Sequence, residues 1–215
     1  SKISKTLRNI INDKTLIEKY SVLKSMNKDY QYSYQKKKIK LFKRFSKVNI
    51  VGMGGSILGA ETIYNFLNHK INKKFNFYNN LNFKNIPKTN KKNINIVISK
   101  SGNTLETISN FNLLLQKQKK NKNIILCEDK KNFLRTLGKK LKAEIFEHKN
   151  YIGGRYSVLS EVGMLPAELM GLNERKFKRF NYLVNNKYFI NSLIENVMSI
   201  NSFIKKGKTN LVILN

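Results

Sequence analysis

Short apolar runs alternate with longer amphipathic stretches along most of the chain. The runs are rich in Ile and Val, which is typical of buried strands, whereas the stretches between them repeat their apolar positions at helical spacing. Strands are predicted at 48–51, 75–78, 94–98, 124–127, 144–146 and 211–214, and helices over 57–68, 104–118, 131–141, 157–171 and 174–205. The alternation predicts a doubly wound α/β fold: a three-layer sandwich with a mostly parallel sheet flanked by helices.

Three segments follow from the pattern. Residues 1–46 are basic and carry apolar positions near helical spacing over 4–46, without Pro or Gly, so they are predicted to be an N-terminal helical segment. Residues 47–172 contain the strand–helix alternation and are predicted to be the α/β domain. Residues 173–215 are predicted to be connecting helices followed by one strand.

Composition excludes several classes of protein. The 215 residues include a single cysteine, Cys127, which rules out a disulfide framework and a multi-cysteine metal site and favours a reducing cytoplasm. No apolar run approaches the roughly 20 residues needed to span a bilayer, so no membrane association is expected. Cys127 itself is predicted to be a small buried apolar residue.

The formal charge of +29 could indicate a nucleic-acid-binding protein. However, only six of the 42 basic residues are Arg, the side chain that clamps phosphates and reads bases. The lysines are spread along the whole chain, and Asn is also abundant at 31 residues. We therefore attribute the charge to compositional bias and expect no nucleic-acid partner, although a nucleic-acid binder remains a rival hypothesis.

Two strand-to-helix turns are rich in hydrogen-bond donors. The first, Gly52-Met53-Gly54-Gly55-Ser56, permits close backbone approach to an anion at a helix N-terminus, or is only a tight turn. The second, Ser99-Lys100-Ser101-Gly102-Asn103-Thr104, offers three hydroxyls, an amide and an ammonium. It is predicted to bind phosphate, the alternative being that Thr104 is only a helix N-cap.

A third segment presents an arginine. In Tyr151-Ile152-Gly153-Gly154-Arg155 a glycine pair precedes a cation that could stabilise an oxyanion, or that is only a surface arginine. The two histidines are not assigned to catalysis: His69 is expected at a solvated helix end, and His148 at the surface or behind the site. Core positions are predicted for the aromatic residues at 66, 75, 77, 78, 111 and 133.

Together the three segments resemble the phosphoglucose isomerase family of sugar isomerase (SIS) domains. The resemblance lies in VGMGGSILGAE (51–61), SKSGNTLET (99–107) and GGRYSVLSEVGMLP (153–166), and it extends over about residues 45–214. The Gly-Gly-Arg segment is the most specific, because generic SIS domains share the Ser/Thr loop but lack it. The resemblance implies an SIS-type fold.

The resemblance also implies a function, namely the interconversion of glucose 6-phosphate and fructose 6-phosphate in glycolysis and gluconeogenesis. Arg155 would stabilise the enediolate, Glu106 would lie in the active site, and Gly154 would shape the turn. The substrate phosphate would be held by Gly55, Ser56, Ser99, Lys100, Ser101 and Thr104. No metal or organic cofactor is implied, the expected location is the cytoplasm, and the expected assembly is a homodimer.

One departure from the family matters for activity. The family's catalytic glutamate, ring-opening histidine and C-terminal lysine lie beyond the matched region, and 211–214 resembles the first strand of a second SIS domain. We therefore expect this chain to be an N-terminal portion that is inactive alone. Two alternatives remain: a noncatalytic SIS module that senses a sugar phosphate, and a bifunctional phosphoglucose/phosphomannose isomerase, which Asn103 slightly favours.

Overall fold

The computed structural model describes residues 15–81, 93–179 and 186–207, together with Lys5, Thr6, Asn9 and Asp13. The strands are β1 (Lys47–Val51), β2 (Lys74–Tyr78), β3 (Ile94–Ile98), β4 (Lys122–Cys127) and β5 (Glu144–Glu147). The α-helices are α1 (Leu16–Lys19), α2 (Lys36–Lys40), α3 (Leu58–Leu67), α4 (Leu105–Lys117), α5 (Phe133–Lys140), α6 (Glu161–Leu169) and α7 (Lys187–Lys205). Short 3-10 turns cover Ser21–Met26, Gly54–Ser56, Asn68–Lys70, Gly154–Tyr156 and Glu174–Lys178.

The five strands form one sheet in the order β2-β1-β3-β4-β5, and every neighbouring pair is parallel. The chain leaves β1 for β2 on one side and then returns to β3 on the other. In open α/β sheets, ligands bind outside the carboxyl ends of the strands at such a reversal of strand order. The loops that follow β1 and β3 are therefore in the position where a ligand is expected.

Helices cover both faces of the sheet, as the apolar pattern predicted. On one face the side chains of Val48, Ile50 and Ile96 form a core with residues of α3 and α6. On the other face Val51 and Val97 pack with residues of α4 and α5. The predicted three-layer α/β class is confirmed, and β3, which is buried along its entire length, lies at its centre.

The predicted N-terminal helix is wrong over much of its described length. Residues 27–35 contain no helix, and Tyr30, Tyr32 and Tyr34 alternate along them. A repeat of two does not form one face of a helix, whereas in an extended segment it places each ring in contact with the next. Tyr34 belongs to the core, and the Tyr30 hydroxyl donates a hydrogen bond to Glu161 Oε2 at 2.9 Å.

The chain divides into two compact units. Residues 21–178 form one unit, which contains the whole sheet, and residues 1–20 with 179–215 form the other. The domain boundaries after residues 46 and 172 stay predictions, and the predicted strand at 211–214 lies outside the described residues. Of the helices in the described part of the chain, none combines the length and apolar character that crossing a bilayer requires.

Two of the predicted core aromatics lie at the surface. Phe66 is 79% exposed because α3 turns Ala60 and Ile63 towards the sheet and Phe66 away from it. Phe133, the first residue of α5, is half exposed. By contrast, Phe75, Phe111 and Cys127 are buried as predicted.

A ladder of asparagine side chains crosses four strands. Asn76, Asn49, Asn95 and Asn123 are in register, and each amide nitrogen donates to the next oxygen at 2.8–2.9 Å. The Asn121 side chain adds a further bond to Asn95 Oδ1 at 2.9 Å. Because buried amides are costly when unpaired, the ladder constrains the register of the parallel strands.

We expect Asn95→Ala to lower the free energy of unfolding by about 3 kcal/mol or more, because it leaves several buried partners without a hydrogen bond. The control is Asn76→Ala at the half-buried end of the ladder, with an expected loss of about 1 kcal/mol or less. Urea unfolding of both variants measures the difference, and equal losses would contradict the central role of Asn95.

Candidate active site

The first glycine loop connects β1 to α3 by a single 3-10 turn. Gly54 has a φ of +53°, a conformation that favours glycine, and the Ile57 N–H closes the turn on the Gly54 carbonyl at 3.0 Å. The N-cap of α3 is Ile57, which has no side-chain acceptor for the first N–H groups of the helix. These donors, together with the half-buried Ser56 hydroxyl, are suited to an anion.

The second loop, residues 99–104, leaves β3 beside the first. A Cβ atom on Gly52 would lie 3.2 Å from the Ile98 carbonyl oxygen, so the two loops start in close contact. The Ser99 and Thr104 hydroxyls are hydrogen-bonded at 2.9 Å across the loop, and the Gly102 N–H donates to Ser99 Oγ at 3.2 Å. Gly102 has a φ of +68°.

Thr104 is the N-cap residue of α4, but its side chain does not cap the helix. Its hydroxyl is paired with Ser99 instead, which leaves the first N–H groups of α4 without a side-chain acceptor from Thr104. The plain capping interpretation therefore does not describe this residue. Two hydroxyls next to a helix N-terminus that Thr104 leaves uncapped fit a phosphate group.

Asn132 and Asn103 attach the second loop to α5. A Cβ on Gly102 would lie 2.1 Å from Asn132 Oδ1, so glycine is required both by the backbone conformation and by this contact. Asn132 caps α5 by accepting from the Arg135 N–H at 2.8 Å, and Asn103 Oδ1 accepts from the Phe133 N–H at 3.0 Å. The Asn103 side chain thus has a structural partner in the protein.

The arginine turn, residues 153–157, contacts the first glycine loop directly. A Cβ on Gly55 would lie 2.1 Å from the Gly154 carbonyl oxygen, which explains why glycine occupies position 55. The buried Ser157 hydroxyl donates to the carbonyls of Gly154 at 2.7 Å and Gly55 at 3.1 Å. Arg155, between these two anchors, is exposed.

Lys100 links the second loop to the segment before the arginine turn. Its ammonium donates to the Asn150 carbonyl at 2.6 Å and lies 3.9 Å from Glu128 Oε1. The Glu128 N–H in turn donates to the Lys100 carbonyl at 3.0 Å. The predicted phosphate ligand therefore already has protein partners in this structure.

The other two predicted site residues to be placed are Ser101 and Glu106. Ser101 is exposed, and its hydroxyl accepts from the Asn103 N–H at 3.2 Å. Glu106 is half exposed in the first turn of α4, and the contacts within the described residues do not join it to Arg155. Ser157 was not predicted as a site residue, although its place two residues after Arg155 in the Gly-Gly-Arg segment was an available signal.

His148 is fully buried, which excludes the surface position and leaves the expected alternative, a position behind the site. Burial lowers the pKa of its imidazole, and the nearby Lys100 ammonium lowers it further. His148 follows β5, and its N–H donates to the Cys127 carbonyl at 2.9 Å, which continues the ladder between β4 and β5. This strand-like pairing places the side chain in the interior.

The described residues contain no group of three or more His, Cys, Asp or Glu side chains that could hold a metal ion. A cleft of about 300 Å³ lies between residues 28–36 and 174–178, and none of the predicted site residues lines it. The candidate active site is instead the edge of the sheet where the two loops and the arginine turn meet.

Comparison with known proteins identifies the family of the chain. The family model for phosphoglucose isomerase matches residues 8–211. Glucose-6-phosphate isomerase of Methanocaldococcus jannaschii is 32% identical over 160 residues, which cover 69% of this chain and 39% of the relative. A probable glucose-6-phosphate isomerase of Methanococcus maripaludis is 31% identical over 189 residues, covering 78% of this chain and 41% of the relative.

Solved structures share the fold at lower identity. A hypothetical protein of Thermus thermophilus superposes with a TM-score of 0.60 at 19% identity, covering 81% of this chain and 45% of the other. Tagatose-6-phosphate ketose/aldose isomerase of Escherichia coli gives 0.51 at 14%, covering 80% and 47%. This chain thus spans less than half the length of these relatives. The family model covers nearly all of it, so the chain belongs to the phosphoglucose isomerase family.

Proposed function

We propose that the protein carrying this chain interconverts glucose 6-phosphate and fructose 6-phosphate, as a step of glycolysis and gluconeogenesis. The chain would supply the phosphate site and the cation that stabilises the enediolate. One observation carries the proposal: the Gly55–Gly154 contact and the Ser157 hydroxyl hold the backbone of the turn that carries the exposed Arg155 against a loop suited to an anion. Generic SIS binding modules share the Ser/Thr loop but lack the Gly-Gly-Arg segment, which would here supply a cation for the charge that develops during a reaction.

The phosphate would lie between the two loops. Thr104 presents a hydroxyl at the N-terminus of α4, paired at 2.9 Å with the buried Ser99 hydroxyl, and Ser56 presents one at the start of α3. Gly55 would allow the first loop to approach the arginine turn, and the exposed Ser101 would contact a phosphate oxygen. These contacts lie away from the reacting carbons, so their binding energy orients the substrate.

The reaction moves one proton between adjacent carbons of the open-chain sugar. A base removes the proton from C2 of the aldose, and the electrons form an enediolate with the negative charge on the C1 oxygen. The proton returns at C1 while a second proton moves from the C2 oxygen to the C1 oxygen, which gives the ketose. Arg155 would stabilise the negative oxygen of that intermediate, and Gly154 would set the path of the turn. Glu106 is the acidic residue that follows the second loop and would act near the substrate.

We propose that the proton-transferring base comes from outside this chain. The family resemblance places the catalytic glutamate and the ring-opening histidine beyond the matched region, and the chain spans 39–41% of the length of two curated relatives. The complete protein would work as a homodimer in the cytoplasm. No metal or organic cofactor is included, because the chemistry needs only a base, a phosphate site and a cation.

The alternative of a bifunctional isomerase that also accepts mannose 6-phosphate rested on Asn103. The Asn103 side chain is bound to the N-terminus of α5, so its presence has an explanation within the fold. We therefore keep glucose 6-phosphate and fructose 6-phosphate as the proposed pair.

The test is turnover of fructose 6-phosphate, with glucose 6-phosphate detected through a coupled dehydrogenase. The complete reading frame should turn over without added metal, and the 215-residue chain should not exceed a no-enzyme blank. Turnover by the chain alone would disprove the external base. If the complete protein is inactive but fructose 6-phosphate raises its melting temperature, a sugar-phosphate sensor replaces the isomerase. Turnover of mannose 6-phosphate by the complete protein tests the bifunctional alternative.

Arg155→Ala in the complete protein is expected to lower kcat about 100-fold or more, with a KM change below about threefold, because the charge acts in the transition state. Steady-state kinetics measures both parameters. Arg175→Ala, at another exposed arginine, is the control and should leave both unchanged. Equal effects of Arg155→Ala on binding and turnover would contradict its role.

Ser99→Ala and Thr104→Val are each expected to raise KM for fructose 6-phosphate about tenfold or more, because a hydrogen bond to a charged phosphate is lost. The control is Thr62→Val on α3, whose exposed hydroxyl donates only to its own helix at Leu58. An unchanged KM in both loop variants would remove the phosphate assignment.

A further inference from the structure

Two side-chain hydrogen bonds, one from each direction, join residues 150–157 to the two loops. The first is donated by the buried Ser157 hydroxyl, which reaches the Gly55 carbonyl of the first loop at 3.1 Å. The second is donated by the Lys100 ammonium, which reaches the Asn150 carbonyl at 2.6 Å. Asn150 lies five residues before Arg155, and the fully buried Ile152 anchors the segment between them.

The Lys100 ammonium contacts protein groups, unlike a side chain that is free to bind a phosphate. One of its three N–H donors is bound to Asn150, and the carboxylate of Glu128 lies 3.9 Å away. Glu128 is largely buried and also pairs with Lys130, so it is a fixed element next to the Lys100 charge. The ammonium is therefore already paired with protein groups.

The backbone of Lys100 belongs to the loop proposed to bind phosphate. Ser99 precedes it, and the Gly102 N–H closes the turn around it on the Ser99 carbonyl at 3.1 Å. An anion that orders this loop also fixes the Cα of Lys100. The lysine side chain then passes that constraint to Asn150 and to the segment leading to Arg155.

We propose that Lys100 is a positioning residue that couples phosphate binding in the second loop to the placement of Arg155. The inference rests on the proposed function. Part of the binding energy of the phosphate would thereby be used to hold the cation at the reacting carbons. The phosphate would be bound by the hydroxyls and N–H groups of the loops, not by the Lys100 ammonium.

The first test uses inorganic phosphate and hydrogen–deuterium exchange on the complete protein. In the unmodified protein, phosphate should slow exchange in both 99–106 and 148–157. In Lys100→Met, phosphate should still protect 99–106, but the protection of 148–157 should be lost. Lys100→Arg, which keeps a cationic donor, should restore it. Lys130→Met, which removes the other cation on Glu128, is the control and should behave like the unmodified protein.

The second test is kinetic. Lys100→Met should lower kcat for fructose 6-phosphate about tenfold while KM changes less than about threefold, because Arg155 is displaced but phosphate still binds. A raised KM with an unchanged kcat would make Lys100 a phosphate ligand and overturn the inference. Retained protection of 148–157 in Lys100→Met would overturn it as well.

The two tests separate the inference from the proposed function. Absence of turnover in the unmodified protein defeats the isomerase, and the exchange experiment then still decides whether the two segments are coupled. If phosphate protects neither segment in the unmodified protein, the loop does not bind phosphate and the coupling is disproved.

Discussion

The contact between Gly55 and Gly154 is the constraint on which the candidate site depends. The two glycines belong to loops that are far apart in the chain, and their backbones are too close for any side chain at position 55. A parallel sheet makes this contact possible, because it places all its strand-to-helix loops at one edge. Arg155 is the residue directly after Gly154, so the contact between the two backbones determines the position of the arginine Cα at the edge of the sheet.

Much of this arrangement could be predicted from the sequence, since its causes are local. Runs such as 94–98 are rich in Ile and Val, which favours a buried strand, and glycines mark the turns that follow. The segment at 27–35 is not the predicted helix because its tyrosines repeat every second residue, which suits an extended segment and not one face of a helix. The burial of His148 could not be predicted, because it depends on pairing with the Cys127 carbonyl of the neighbouring strand.

The roles within the site were predicted less completely than its location. Sequence spacing brings Ser99, Lys100 and Thr104 into one loop, but it does not say which groups they contact. The two hydroxyls pair with each other, whereas the ammonium reaches across to Asn150. The hydroxyls and the ammonium have different partners because the lysine side chain is longer and because Glu128 lies at the end of the neighbouring strand. The position of Glu128 depends on the tertiary structure, so sequence spacing does not reveal it.

Some of the abundant asparagines have a structural role in the sheet. Four of the 31 asparagines occupy matching positions on adjacent strands, and three of these four are buried. Each amide can both donate and accept, so an apolar replacement at one position penalises its neighbours as well as itself. Loss of an amide from the buried part of the ladder leaves its neighbours unpaired, so Asn49, Asn95 and Asn123 constrain one another more strongly than the half-buried Asn76 does. The buried amides of β1, β3 and β4 therefore behave as one unit, in which the identity of each residue depends on the other two.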